Sequence, residues 1–208
     1  MHAQDVTVEW LREVPYQIQP ASRPPTIQGV IVKDLRVNLD GRGDVIELWS
    51  KPWVEAEGMV FPEHVYQSAT DYGVVKCWHL HDRHTDQFTV TRGKLQVTLV
   101  DIRPDSPTFG HVNAIFLGSQ RPRLIKIPPM VMHGWKALSQ PEVIVVGIEP
   151  DIDWPLTKPQ VAWMKKQPDA FEEIYSDSTA SAFRVKDGWH ALASQFKPPQ
   201  DKPLKMGG

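Results

Sequence analysis

From Gly29 to Ile148 the apolar residues of this chain fall in short runs that alternate with polar ones. Side chains of a β-strand point to opposite faces in turn, so a series such as Leu95, Val97 and Leu99 marks the buried face of a strand. Comparable runs cover Val30, Val32 and Val37, then 45–49, 74–81, 112–117, 124–127, 133–138 and 143–148. Phe88 and Val90 precede Arg92-Gly93, and the apolar series resumes at Leu95, which reads as a hairpin turning at Gly93. Many short strands with tight connections predict an antiparallel sandwich or barrel over 29–150, an all-β body. Residues 1–28 carry Pro15, Pro20, Pro24 and Pro25 without a sustained period and read as a proline-rich arm. Beyond Trp154-Pro155, apolar spacings of three and four predict short helices over 159–167 and 187–196, so 151–208 reads as a helical tail.

A chain of 208 residues, 41% hydrophobic and 23% charged, is long enough for one well-buried domain with pieces left over. Its net charge of −2 and the lack of a long basic run argue against nucleic acid or an anionic membrane as partner. No stretch reaches the roughly 18 apolar residues of a membrane span. The first 18 residues, with Asp5, Glu9, Arg12 and Glu13, lack the apolar core of a signal peptide. Cys77 is the only cysteine, which excludes an intrachain disulfide. These features together predict a cytoplasmic protein.

The chemistry-bearing side chains gather in two places. His79 and His81 stand two apart with Asp86 just beyond, and His133 follows Pro128-Pro129 some fifty residues later. On a strand His79 and His81 share a face. With Asp86 and a third imidazole from a neighbouring strand they make an N,N,N,O donor set, which suits Zn, Ni, Mn or Fe. His84, in the same loop, is a substitute for one ligand; otherwise it reads as structural, as do His2, His64, His111 and His190. Cys77 reads as a small buried apolar residue.

The run Gly73, five residues, His79-x-His81, four residues, Asp86, six residues, Gly93, followed by Pro128 to His133, resembles the two signature motifs of the cupin superfamily. Asp86 stands where that family has Glu, and Met130 where it has Gly. The resemblance implies a double-stranded β-helix, a jelly-roll barrel. Across 29–139 the chain further resembles the dTDP-4-dehydrorhamnose 3,5-epimerase branch. The matching pieces are Asp40-Gly-Arg42-Gly43 with Glu47, Ser68 and Thr70 ahead of Gly73, Asp101-Ile-Arg103, Ser106-Pro-Thr-Phe-Gly110, and Ile127-Pro-Pro129 leading to His133-Gly-Trp135. That likeness implies an isomerase without organic cofactor, a dimer with strands crossing between subunits, and a nucleotide-linked 4-keto sugar as substrate. Members exchange protons beside the ketone without a metal, with a His as base and a Tyr as acid on the opposite face. Carried over, His79 is the base, His133 the second-motif histidine, and Arg42 and Glu47 contact the nucleotide sugar.

Several positions depart from that pattern. Lys76 replaces an Arg, Asp86 stands where the family's loop carries positive charge, and 141–146 offers no Tyr for the acid. The expectation is therefore a sugar epimerase in which a divalent metal held by His79, His81, Asp86 and His133 replaces the acid–base pair by polarising a carbonyl oxygen. An imidazole bound to a cation cannot also accept a proton, so His79 is a ligand or the base but not both. Asp153, Lys136 and Glu47 are the remaining acid–base candidates. Lys76, Arg42, Glu47 and Trp135 are the expected substrate contacts; Trp135 shares the inward face of His133 and either stacks on a sugar ring or packs. Trp78 alternates to the opposite face from His79 and reads as core. Two other readings stand beside this one: an Fe(II) dioxygenase, and a carbohydrate-binding cupin without chemistry. Ile27 to Val37 reads as an edge strand that pairs across a two-fold axis in a homodimer.

Overall fold

The computed structural model describes residues 1, 5–19, 25–81, 83–150, 166, 171–176 and 181–185. It divides into units Met1–Asp153 and Trp154–Gly208. In the first unit the alternating runs form two five-stranded sheets. One consists, in spatial order, of β1 (Gln17–Ile18), β9 (His111–Gly118), β8 (Lys94–Asp101), β11 (Val131–Ala137) and β6 (Val75–His79). The other consists of β2 (Ile31–Asp34), β10 (Arg123–Ile127), β7 (Asp86–Arg92), β12 (Glu142–Glu149) and β5 (His64–Asp71). Neighbours pair antiparallel except β1 with β9. A separate hairpin joins β3 (Val37–Asp40) to β4 (Gly43–Ile46).

Every second residue of these strands feeds one core. Leu95, Val97, Leu99, Ile115, Leu117, Val131, Trp135 and Ala137 come from the first sheet, and Phe88, Val90, Ile125, Ile127, Val143 and Val145 from the second. Each of the fully buried aliphatic or aromatic side chains contributes on the order of 1.5–3 kcal/mol, so the alternation fixes which face of each strand looks inward. The hairpin turn falls at Gly93, whose φ of +80° suits glycine; Ser139 and Val143 crowd the position a Cβ would take. The outer face of the second sheet is covered by a smaller cluster of Leu35, Met59, Leu124 and Ile148, with Trp49 and Trp53 against it.

The arm is more ordered than its prolines suggest. Thr7 caps a one-and-a-half-turn helix, α1 (Val8–Glu13), by accepting from the Trp10 amide at 3.1 Å. Backbone bonds from Gln17 to Gly110 and from Gln19 to Val112 then add the arm to the first sheet. A second short helix, α2 (Pro52–Glu57), starts with Pro at its first turn and stops at Gly58 in the left-handed region. In the second unit β13 (Phe171–Ser176) pairs with β14 (Ser181–Val185), a hairpin that the sequence reading did not foresee. The helices expected over 159–167 and 187–196 lie outside the described residues. Among the described residues no helix is long and apolar enough to cross a membrane.

Candidate active site

Near one end of the barrel the inward series, apolar elsewhere, carry polar residues. In β11 His133 lies between Val131 and Trp135; in β7 Asp86 precedes Phe88 by two; in β12 Glu149 continues Val143, Val145 and Gly147. The register brings them to the same level, since Gly147 is opposite Phe88, Ile127 opposite Asp86, and His133 opposite His79. The result is a polar mouth on an apolar barrel.

Four imidazoles converge there. Ring centroids of His79 and His133 are 5.4 Å apart, His81 and His133 5.7 Å, and His81 and His84 5.2 Å. β6 ends at His79, so His81 is carried by the following loop, pinned where its carbonyl accepts the Met130 amide at 2.9 Å. Metal-donor atoms of His79, His81 and His133 lie within 4.8 Å of one another. Asp86 Oδ2 stands 3.5 Å from His81 Nε2 and 3.4 Å from His133 Nε2. The expected set His79, His81, Asp86 and His133 is thus brought together.

His133 is the most constrained member. Its Nδ1 is 3.0 Å from the Val131 carbonyl, which can only accept, so the proton of the neutral ring sits on Nδ1. Nε2 then turns a bare lone pair toward the Asp86 carboxylate, and this buried atom makes no hydrogen bond of good geometry. Two acceptors face each other unless a proton or a cation lies between them. Burial pushes the His133 imidazole toward neutrality, but the Asp86 carboxylate outweighs it and raises its pKa. Burial likewise pushes Asp86 up, and the imidazoles of His133, His81 and His84 outweigh it and hold the carboxyl well below the usual range. For His79, burial together with His133 and His81 outweighs the Asp86 carboxylate and takes the pKa down to about 3.

A second group was missed by sequence reasoning. Glu149 is 4% exposed, its Oε1 accepts the Tyr66 hydroxyl at 2.8 Å, and its Oε2 lies 3.4 Å from His84 Nε2. Donor atoms of His84, Asp86 and Glu149 also lie within 4.8 Å of one another. Tyr66 faces inward from β5 opposite Gly147, and a Cβ at Gly147 would clash with the edge of its ring. The signal for Glu149 was its odd-numbered alternation with Val143 and Val145. For β5 the signal was hidden, because its inward residues His64, Tyr66, Ser68 and Thr70 are polar.

The expected substrate contacts divide. Trp135 is 6% exposed, with its ring 5.2 Å from His79 and 5.5 Å from Phe88 and its indole N–H donated to Thr70 at 3.2 Å. It is a packed floor beneath His79 rather than an open stacking platform. Lys76 crosses from β6 to the edge of β5, donating to Ser68 Oγ at 3.1 Å and to the Ala69 carbonyl at 2.8 Å. Arg42 is on the turn of the exposed β3–β4 hairpin, its guanidinium engaged by Asp40. Glu47 lies just past β4 and is exposed; its hairpin forms a two-stranded sheet separate from the two barrel sheets. Lys136 alternates to the opposite face of β11 from His133. Asp153 lies outside the described residues. Trp78 is half-buried rather than core.

The motif Asp101 to Gly110 has a structural role. The Asp101 carboxylate, 0% exposed, accepts from Arg103 Nε and Nη2 at 2.8 Å each, Ser106 Oγ at 2.6 Å and Thr108 Oγ1 at 2.5 Å. Arg103 and Thr108 in turn bind the Gln28 backbone, tying the arm to the barrel.

Known proteins carry the same plan. The family model described as dTDP-4-dehydrorhamnose 3,5-epimerase matches residues 24–166. The probable low-salt glycan biosynthesis epimerase Agl13 of Haloferax volcanii is 37% identical over 123 residues, 58% of this chain and 78% of that protein. The spore coat polysaccharide biosynthesis protein SpsL of Bacillus subtilis is 32% identical over the same shares. Among solved structures, a dTDP sugar isomerase from Desulfovibrio desulfuricans superposes with a TM-score of 0.55 at 27% identity, covering 60% of this chain and 78% of that one. With a jelly-roll barrel whose mouth gathers the motif histidines and a family match over most of its length, this chain belongs to the dTDP-4-dehydrorhamnose 3,5-epimerase family and is, with that family, an isomerase of the sugar-epimerase type.

Proposed function

We propose that the protein epimerises a nucleotide-linked keto sugar in the cytoplasm by moving a proton on and off the carbon beside the carbonyl at the barrel mouth. The observation supporting this most directly is the packing of half-buried His79 and His81 with buried Asp86 and His133 into one cluster in a chain of sugar-epimerase kin. His79 is held neutral, so its lone pair is available to take the proton from carbon. Trp135 and Phe88 close the apolar side beneath it and keep water from competing. His133 with Asp86 is the charge-balancing pair next to it. Lys76, tied to Ser68, sets the rim on which the sugar rests.

A second reading rests on the bare Nε2 of His133 aimed at Asp86. The donor set His79, His81, His133 and Asp86 fits Zn, Ni, Mn or Fe, and such a cation would supply an electrophile for the carbonyl oxygen. His79 would then be lost as a base.

Arg42 and Glu47 sit on a hairpin whose Leu39, Val45 and Val37 are 78%, 66% and 44% exposed. In a homodimer that hairpin covers its apolar residues and reaches a site of the partner, which is how these two residues would meet the nucleotide.

The test is incubation of the full chain with dTDP-, UDP- and GDP-linked keto sugars in D₂O, read by mass spectrometry and NMR. Deuterium entering beside the ketone is expected, and weakly with dTDP-4-keto-6-deoxyglucose because the family's Tyr position is empty of Tyr. No exchange from any of them refutes the epimerase reading.

A further inference from the structure

We infer that His84, Asp86 and Glu149 form a divalent-cation site of their own, distinct from the motif histidines. Their donor atoms lie within 4.8 Å of one another, and the three residues are 4%, 7% and 4% exposed. Adjacent donors of a tetrahedral ion stand roughly 3.3–3.6 Å apart at bond lengths near 2.0–2.2 Å, a separation His84 Nε2 and Glu149 Oε2 already have at 3.4 Å.

Charge points the same way. Two carboxylates buried this close to each other repel unless positive charge lies between them. The triad His79, His81 and His133 offers three neutral donors, whereas this one brings two negative charges to a divalent ion. The atoms are also distributed for it. Asp86 meets His81 and His133 through Oδ2. Glu149 is oriented from behind by the Tyr66 hydroxyl on Oε1, while Oε2 faces His84. A carboxylate fixed by a hydroxyl outside the coordination shell is the usual way a ligand is aimed. One imidazole and two carboxylates suit Mn²⁺, Fe²⁺ or Zn²⁺. A cation held here leaves the His79 lone pair free, so proton transfer and an electrophile coexist in one mouth.

The experiment is titration of EDTA-treated full-length protein with Mn²⁺, reading free and bound ion by electron paramagnetic resonance, with Zn²⁺ uptake by mass spectrometry as a second probe. The expected result is a bound ion that is lost in Glu149→Gln and in His84→Asn and kept in His79→Ala. Tyr66→Phe leaves all three donors and is expected to weaken binding about tenfold at unchanged stoichiometry, the loss typical of a removed orienting partner. Far-ultraviolet dichroism of the metal-free variants checks that each is folded. An ion lost in His79→Ala but kept in Glu149→Gln overturns the inference, as does no uptake of either ion. Because the readout is metal rather than turnover, the site stands or falls apart from the epimerase reading.

Discussion

Replacing Asp101 by Asn keeps the shape of the side chain and removes its charge, which isolates what the carboxylate does for the fold. Its side chain is 0% exposed and that of Arg103 is 24% exposed. Hydrogen bonds to a charged group contribute about 1.5–3 kcal/mol each in net terms. The Ser106 and Thr108 hydroxyls can rotate to suit an amide, and the partly exposed guanidinium can recover some water. The loss then reduces to the two-pronged Arg103 contact, about 2–3 kcal/mol, with Asp101→Ala nearer the ~3–5 kcal/mol of a broken buried pair. At about 2–4 °C per kcal/mol for a chain of this size, Asp101→Asn lowers the melting temperature by about 5–10 °C. Burial raises the Asp101 pKa, but Arg103, Ser106 and Thr108 outweigh it, so the folded value lies below the unfolded one of about 3.9. A group depressed in this way contributes stability above its unfolded pKa and loses it as pH falls through the folded one. The gap between wild type and Asp101→Asn should therefore be full at pH 7 and close below about pH 4. Urea unfolding followed by tryptophan fluorescence at both pH values measures it. A difference under about 0.5 kcal/mol at pH 7, or one that does not shrink in acid, refutes the reasoning.

Gly134→Ala puts a Cβ against the Cys77 side chain and the Lys76 carbonyl, both on a paired strand that cannot move alone; loss of about 1–3 kcal/mol is expected by thermal melting, together with loss of deuterium exchange, since β6 carries His79. Gly147→Ala pushes into the Tyr66 ring, which can swing out; it should cost less stability than Gly134→Ala while weakening whatever Glu149 binds, as metal titration reads. Light scattering at micromolar concentration should give about twice 23.6 kDa, and a monomer mass removes the partner route for Arg42 and Glu47.

The barrel was legible because its core strands obey one rule. Leu95, Val97 and Leu99 alternate, Gly93 turns, and the pairing follows. His79, His81, Asp86 and His133 were legible because a motif holds them at fixed spacing. The rest of the mouth was not, for a reason that is itself physical. A strand that lines a polar site presents polar residues inward, so β5, with His64, Tyr66, Ser68 and Thr70 on its inner face, has no apolar stripe to announce it. Glu149 was hidden differently: it looked like the polar end of an apolar run, although its parity with Val143 and Val145 already aimed it inward. The α1 helix failed a third way, since six residues are too few to show a helical period even with Thr7 at the cap. The site residues that escaped are thus those where the hydrophobic pattern is broken. At this mouth, buried Glu149 and His84 cost stability that an apolar layer would have supplied, and a fold retains such groups where they bind or react.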